Sequence, residues 1–180
     1  MNLTRPALIG AGIGVALALW CCPFATAFGQ NLAAALKATY LVKFGSFVDW
    51  PPTAFASPSS PLDLCVVGDH PFGDLLDRAA AGQRVNGHPI EIRRLSSITQ
   101  NSNCDILYAS GASAEAALAA ARYQPILTVT DLPASAPQKG IINFTIRDDR
   151  VRFEIDDRNA RQDGLHISSQ LLTLAVNKQP

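Results

Sequence analysis

The side chains able to do chemistry are few and scattered. His70, His88 and His166 lie far apart, with neither zinc-ligand spacing nor an H-E-x-x-H pattern. No G-x-S-x-G elbow is present; Gly111-Ala-Ser113 reads as a turn ahead of a helix. Gly10, Gly12 and Gly14 imitate part of a nucleotide loop, but no strand precedes them. The acids fall beside strands and turns, where solvated caps are the ordinary explanation. The expectation is a protein that is not an enzyme and holds no cofactor and no metal.

The elements that must position these residues begin after a leader. Arg5 precedes an apolar run from Ala7 to Trp20, and Ala25-Thr-Ala27 supplies small residues at a cleavage pattern. A cleaved signal over residues 1–27 is expected, with the domain in 28–180 and the protein exported. A retained anchor needs a longer span, and a lipoprotein at Cys21 or Cys22 is disfavoured by bulky Trp20. Fifteen basic residues balance fifteen acidic ones, and removing Arg5 leaves 14 − 15 = −1. Such a chain has no bulk pull towards nucleic acid. With 48% apolar and 17% charged residues it has a real core rather than the composition of a disordered chain. Two cysteines remain, Cys65 and Cys104. In an oxidising compartment they most simply pair; two buried thiols are the alternative.

Apolar spacing predicts a helix over 31–48, stopped by Pro51-Pro52, then a strand over 62–67 and a helix over 71–81. Asn86-Gly87 predicts a hairpin between 84–85 and 88–95. Strands are expected at 104–109 and 125–130, around an alanine-rich helix from Ser113, its N-cap candidate, to Arg122. Residues 141–147 and 150–155 alternate about Asp148-Asp149, a second hairpin. A charged turn over 156–163 and a last helix over 168–177 complete the chain. The fold class expected is α/β: a single compact domain, mainly parallel sheet flanked by helices, with a C-terminal antiparallel hairpin.

In such a sheet ligands bind beyond the carboxyl ends of strands. Asp69, His70, Ser110, Ser113 and Asp131 occupy those turns, and a helix start at Ser113 could accept an anion, although ordinary turn and cap chemistry is the favoured reading. Tyr40, Phe44, Phe47 and Trp50 recur at helical spacing, a stripe that is more often core than binding site. Arginines 147, 150, 152, 158 and 161 are interspersed with aspartates, as on a solvated mixed face.

Five blocks in order resemble the YfiR-like (YfiR/HmsC-type) periplasmic regulators: residues 37–51, KATYLVKFGSFVDWP; 64–73, LCVVGDHPFG; 104–108, CDILY; 151–155, VRFEI; and 164–172, GLHISSQLL. The resemblance implies an exported α/β domain with Cys65 and Cys104 bridged. It also implies a regulator that holds the periplasmic part of an inner-membrane diguanylate cyclase, or a related sensor, inactive. Release, set by redox state or envelope stress, would raise cyclic di-GMP and promote biofilm. Tyr40, Phe44, Trp50, Arg152, Arg161 and His166 are the expected partner-binding residues, and a homodimer is compatible with this reading. Pro133-Ala-Ser-Ala-Pro-Gln-Lys139 departs from the glycine- and phenylalanine-containing loop expected there. A periplasmic small-molecule binder is the alternative, and a secreted enzyme a third reading.

Overall fold

The computed structural model describes residues 24–69, 71–176 and 178–179, and side chains within 31–176. The expected signal therefore lies outside the described residues, except that helix α1 (Phe24–Phe44) already includes Ala25 to Ala27. Helix α1 ends sooner than its periodicity predicts. At Gly45 an added Cβ would sit 3.1 Å from Val85, so the chain packs against its neighbours through bare backbone. It tightens into a 3-10 turn, Gly45–Phe47, and Val48 enters strand β1 (Val48–Asp49) instead of continuing the helix.

Strand β2 (Leu62–Val67) is followed by helix α2 (Asp74–Ala80), β3 (Arg84–Val85), β4 (His88–Leu95) and β5 (Ile106–Ala109). Next come α3 (Ala114–Ala121), β6 (Leu127–Thr130), β7 (Ile142–Arg147), β8 (Arg150–Asp156), α4 (Asp157–Gln162), β9 (His166–Ile167), α5 (Ser169–Leu174) and β10 (Lys178–Gln179). The main sheet runs β10-β8-β7-β6-β5-β2-β4-β3, and β1 pairs with β9 in a small antiparallel sheet of its own. Pairings from β4 across to β7 are parallel; β7–β8 and β3–β4 are antiparallel. The α/β class with a C-terminal hairpin is as expected. Both hairpins turn on residues with positive φ, Asn86 and Gly87 in one and Asp148 and Asp149 in the other, as two-residue turns of this twist require.

The sheet buries both faces. Leu62, Leu64, Val66, Ile106, Tyr108, Leu127, Ile142, Phe144 and Phe153 face α1 and α2 in the larger core. Cys65, Val67, Leu107 and Ala109 face α3, whose Ala114, Ala117 and Ala121 allow close approach. Central strands buried on both sides read as apolar runs: β5 does so throughout, and β2 does so from Leu64 to Val67, after Asp63. The expected charged turn over 156–163 is instead a short helix, α4. Asp156 starts it by accepting the Asn159 backbone N–H at 2.9 Å, and Ala160 buries its inner face. Ser168 caps α5 as the last-helix reading implies, but the helix ends at Leu174.

Candidate functional site

The crossovers place the strand-end turns. Helix α2 carries β2 to β4 over one face, and the chain then returns past β2 to β5, whose crossover α3 covers the other face. The order reverses between β2 and β5, where an open α/β sheet forms a crevice. Here that crevice is shut by the protein itself. Ser110 Oγ donates to the Asp69 carbonyl at 2.8 Å. Gly68 has φ +90, and a Cβ there would fall 2.1 Å from the Ser110 carbonyl oxygen. A Cβ on Gly111 would fall 2.6 Å from Asp69 Oδ2, so a carboxylate already lies against the turn that leads into α3. Ser113 is the last residue of that 3-10 turn and makes no side-chain cap bond, contrary to its expected capping role. Asp131 is separate, bound at 2.5 Å by Lys37 Nζ, which also lies 5.9 Å from the Phe144 ring centroid. His70 lies outside the described residues. Beneath the turns, burial raises the Tyr108 phenol, the Asp131 and Asp69 carboxylates push the same way, and the Ser110 hydrogen bond opposes them.

At the other end of the sheet the disulfide joins Cys65 of β2 to Cys104, just before β5, with Cα atoms 5.8 Å apart. The alternation of β2, β4 and β5 puts Asp63, Asp105 and Arg93 on the disulfide's face of the sheet. Asp105 Oδ2 accepts the Asp63 N–H at 2.7 Å. Arg93 donates to the Ser102 carbonyl at 2.7 Å and approaches Asp63 at 3.4 Å, pinning the loop that carries Cys104. Burial raises the Asp105 carboxyl to about 6; the Asp63 N–H and His88 lower it, and the Asp63 carboxylate adds to the rise. Burial also raises Asp63, Arg93 opposing and Glu91 assisting. The cluster is built to hold the bridged loop.

A third feature was not legible as a site. Parallel β6 and β7 are joined by residues 131–141 without a helix, where a crossover normally takes a dozen residues or more and a helix. The loop is stapled back by the strands. Gly140 N–H donates to Thr130 Oγ1 at 3.0 Å, Ile141 N–H to Thr128 Oγ1 at 2.9 Å, and Leu132 N–H to Asn143 Oδ1 at 3.0 Å. Gly140 is required, because a Cβ would meet the Thr128 carbonyl oxygen at 2.7 Å. With no helix over this part of the sheet, a half-open cleft of about 520 Å³ remains between α3, the loop, β8 and α4.

The expected partner residues do not form one patch. Phe44 is 1% exposed, ringed by Tyr40, Phe144 and Phe153, and so is a core residue rather than a surface anchor. Tyr40 is half-buried beside it and meets Phe153 edge-on. Trp50 follows β1; it is half-buried against Phe55, and its Nε1 is buried with no hydrogen-bond partner among the described residues. His166 is exposed opposite Asp49. Arg152 is exposed, but Val151, Phe153 and Ile155 face the larger core, so it lies on the sheet's opposite face from Tyr40. Arg161 is exposed and pairs with Asp157 one helical turn back. Sequence reading missed Leu32 and Leu36, 73% and 38% exposed, which continue the line of Tyr40 along α1 at four-residue steps. Among the described residues no group of histidine, cysteine or acidic side chains could hold a metal, and no helix is long and apolar enough to cross a membrane.

No curated protein matches the chain. A family model does, over residues 34–176, a span that takes in every strand of the main sheet but β10, together with the bridged cysteines and the cleft. The chain belongs to the YfiR/HmsC-like family.

Proposed function

We propose that this protein is a periplasmic regulator that represses an inner-membrane signalling enzyme, a diguanylate cyclase, by binding its periplasmic domain. The observation that carries the reading is the family match over residues 34–176, in a domain whose two cysteines are bridged as an exported protein's would be. The family is regulatory rather than catalytic. Repression by binding requires a firm surface, and three features supply one: the bridge, the Arg93-pinned loop and a sheet buried on both faces. The recognition surface we favour is the outer side of α1, Leu32, Leu36 and Tyr40, with Trp50 and His166 beyond it. Leu32 and Leu36 cost free energy in water and are the kind of residue an interface core covers. Arg152, on the opposite face of the sheet, and Arg161, paired with Asp157 on α4, lie outside this patch.

Immobilised, oxidised protein exposed to detergent-solubilised inner membranes should retain a membrane-bound diguanylate cyclase. Leu36→Asp should abolish retention while the protein stays folded, and Arg152→Glu, on the opposite face of the sheet, should leave retention unchanged. Retention of no cyclase, or equal retention by Leu36→Asp, would overturn the reading. The cleft supports a second reading, a periplasmic small-molecule binder, since its volume is within the usual range for small ligands, about 300–1,000 Å³.

A further inference from the structure

The cleft has a chemistry of its own, on the opposite side of the sheet from Tyr40. Its charged rim contains two cations, Arg122 and Lys139, and three acids, Glu154, Asp156 and Asp163, a net 2 − 3 = −1. The acids are engaged. Glu154 takes Lys139 at 3.3 Å and Arg147 at 3.2 Å, Asp156 caps Asn159, and Asp163 Oδ1 accepts the Tyr123 N–H at 2.8 Å. Counting Arg147, the second salt-bridge partner of Glu154, the balance is 3 − 3 = 0, so neither an anion nor a cation finds an unmatched charge. Gln138 and Gln162 add amides, each with donors and an acceptor, the groups that match a hydroxyl's mixed capacity.

Tyr123 stands at the mouth. The residue is 74% exposed, although its φ is +59, a left-handed conformation unusual for a bulky residue. The Asp163 hydrogen bond fixes that backbone, and the Arg122 guanidinium lies 5.4 Å from the ring centroid. An aromatic residue held out in water, in a backbone state that asparagine or glycine would adopt more easily, contributes nothing to the core. It presents a flat apolar face beside a wall of amides and engaged charges. A pyranose has the complementary pair of surfaces: a C–H face for the ring and equatorial hydroxyls for the wall.

We propose that this cleft binds a neutral saccharide, stacked on Tyr123 and hydrogen-bonded along Gln138, Gln162 and Asp163. The inference does not depend on the repressor reading. The test is saturation-transfer NMR on the oxidised protein, with glucose, N-acetylglucosamine, cellobiose and chitobiose at millimolar concentration and glucuronate as the charged comparison. At least one neutral sugar should receive saturation at its ring C–H protons. Tyr123→Asn keeps a residue suited to positive φ, so it should stay folded while affinity falls by about tenfold. Tyr123→Phe should retain binding. The proposal is overturned if no neutral sugar receives saturation, if glucuronate binds more tightly than the neutral sugars, or if a folded Tyr123→Asn binds as well as the parent.

Discussion

Replacing Asp105 by Asn should remove an unusual response to pH. Asp105 sits at the amino end of β5, its carboxyl raised from 3.8 to about 6 chiefly by burial. A group whose pKa is higher in the folded state binds its proton more tightly there. Its contribution to stability is full below 3.8 and disappears as pH rises through about 6. The displacement of about two units is worth at most about 3 kcal/mol, and the carboxyl's partial exposure to solvent reduces this to about 1–2 kcal/mol. Asp63 and Asp163, also raised by burial, slope the same way. Asp77, lowered by its hydrogen bond to Arg94, slopes the other way but is exposed. Urea denaturation at pH 7.5 and pH 4.5 should therefore find the parent more stable in acid. Asp105→Asn, whose amide oxygen can still accept the Asp63 N–H, should gain stability at pH 7.5 and flatten the profile by about 1–2 kcal/mol. An undiminished slope in Asp105→Asn would refute this account of the cluster.

Cys65→Ala with Cys104→Ala should lower stability by about 4 kcal/mol, the chain-entropy value for the loop the bridge closes, and excess reductant should bring the parent to the same melting temperature. Gly140→Ala should cost about 1–3 kcal/mol, because its Cβ meets the Thr128 carbonyl, and loss of protection at the Ile141 amide in hydrogen exchange would locate the damage. Phe44→Ala should cost about 3–5 kcal/mol, as for a fully buried ring; a stable variant that has lost only partner binding would show that Phe44 reaches the surface.

The sequence made the β-α-β order, the two hairpins and the bridge legible for local reasons. Asn86-Gly87 and Asp148-Asp149 name their turns, since few other pairs tolerate two positive φ values. Alternation assigned Val151, Phe153 and Ile155 to one face, as observed. The aromatic spacing from Tyr40 to Trp50 did indicate a packed stripe, but spacing alone does not say that Phe44 points fully inward while Tyr40 stays half-exposed. Helix α4 was illegible because six mostly polar residues have no measurable period; its start depends on one cap, Asp156 to Asn159. The cleft was illegible because its walls come from residues 118 to 163 and its space comes from a crossover helix that the chain omits. The odd loop from Pro133 to Lys139 was the only local sign of it.

Cyclic di-GMP in a deletion strain tests the central claim most directly. Deleting the gene should raise cyclic di-GMP and surface attachment. Both should return to parental levels on expressing the wild-type chain, but not on expressing a folded, exported Leu36→Asp variant, and the rise should vanish when the partner cyclase is also deleted. An unchanged level in the single deletion, with the protein shown to be expressed and exported in the parent, would contradict repression of a cyclase.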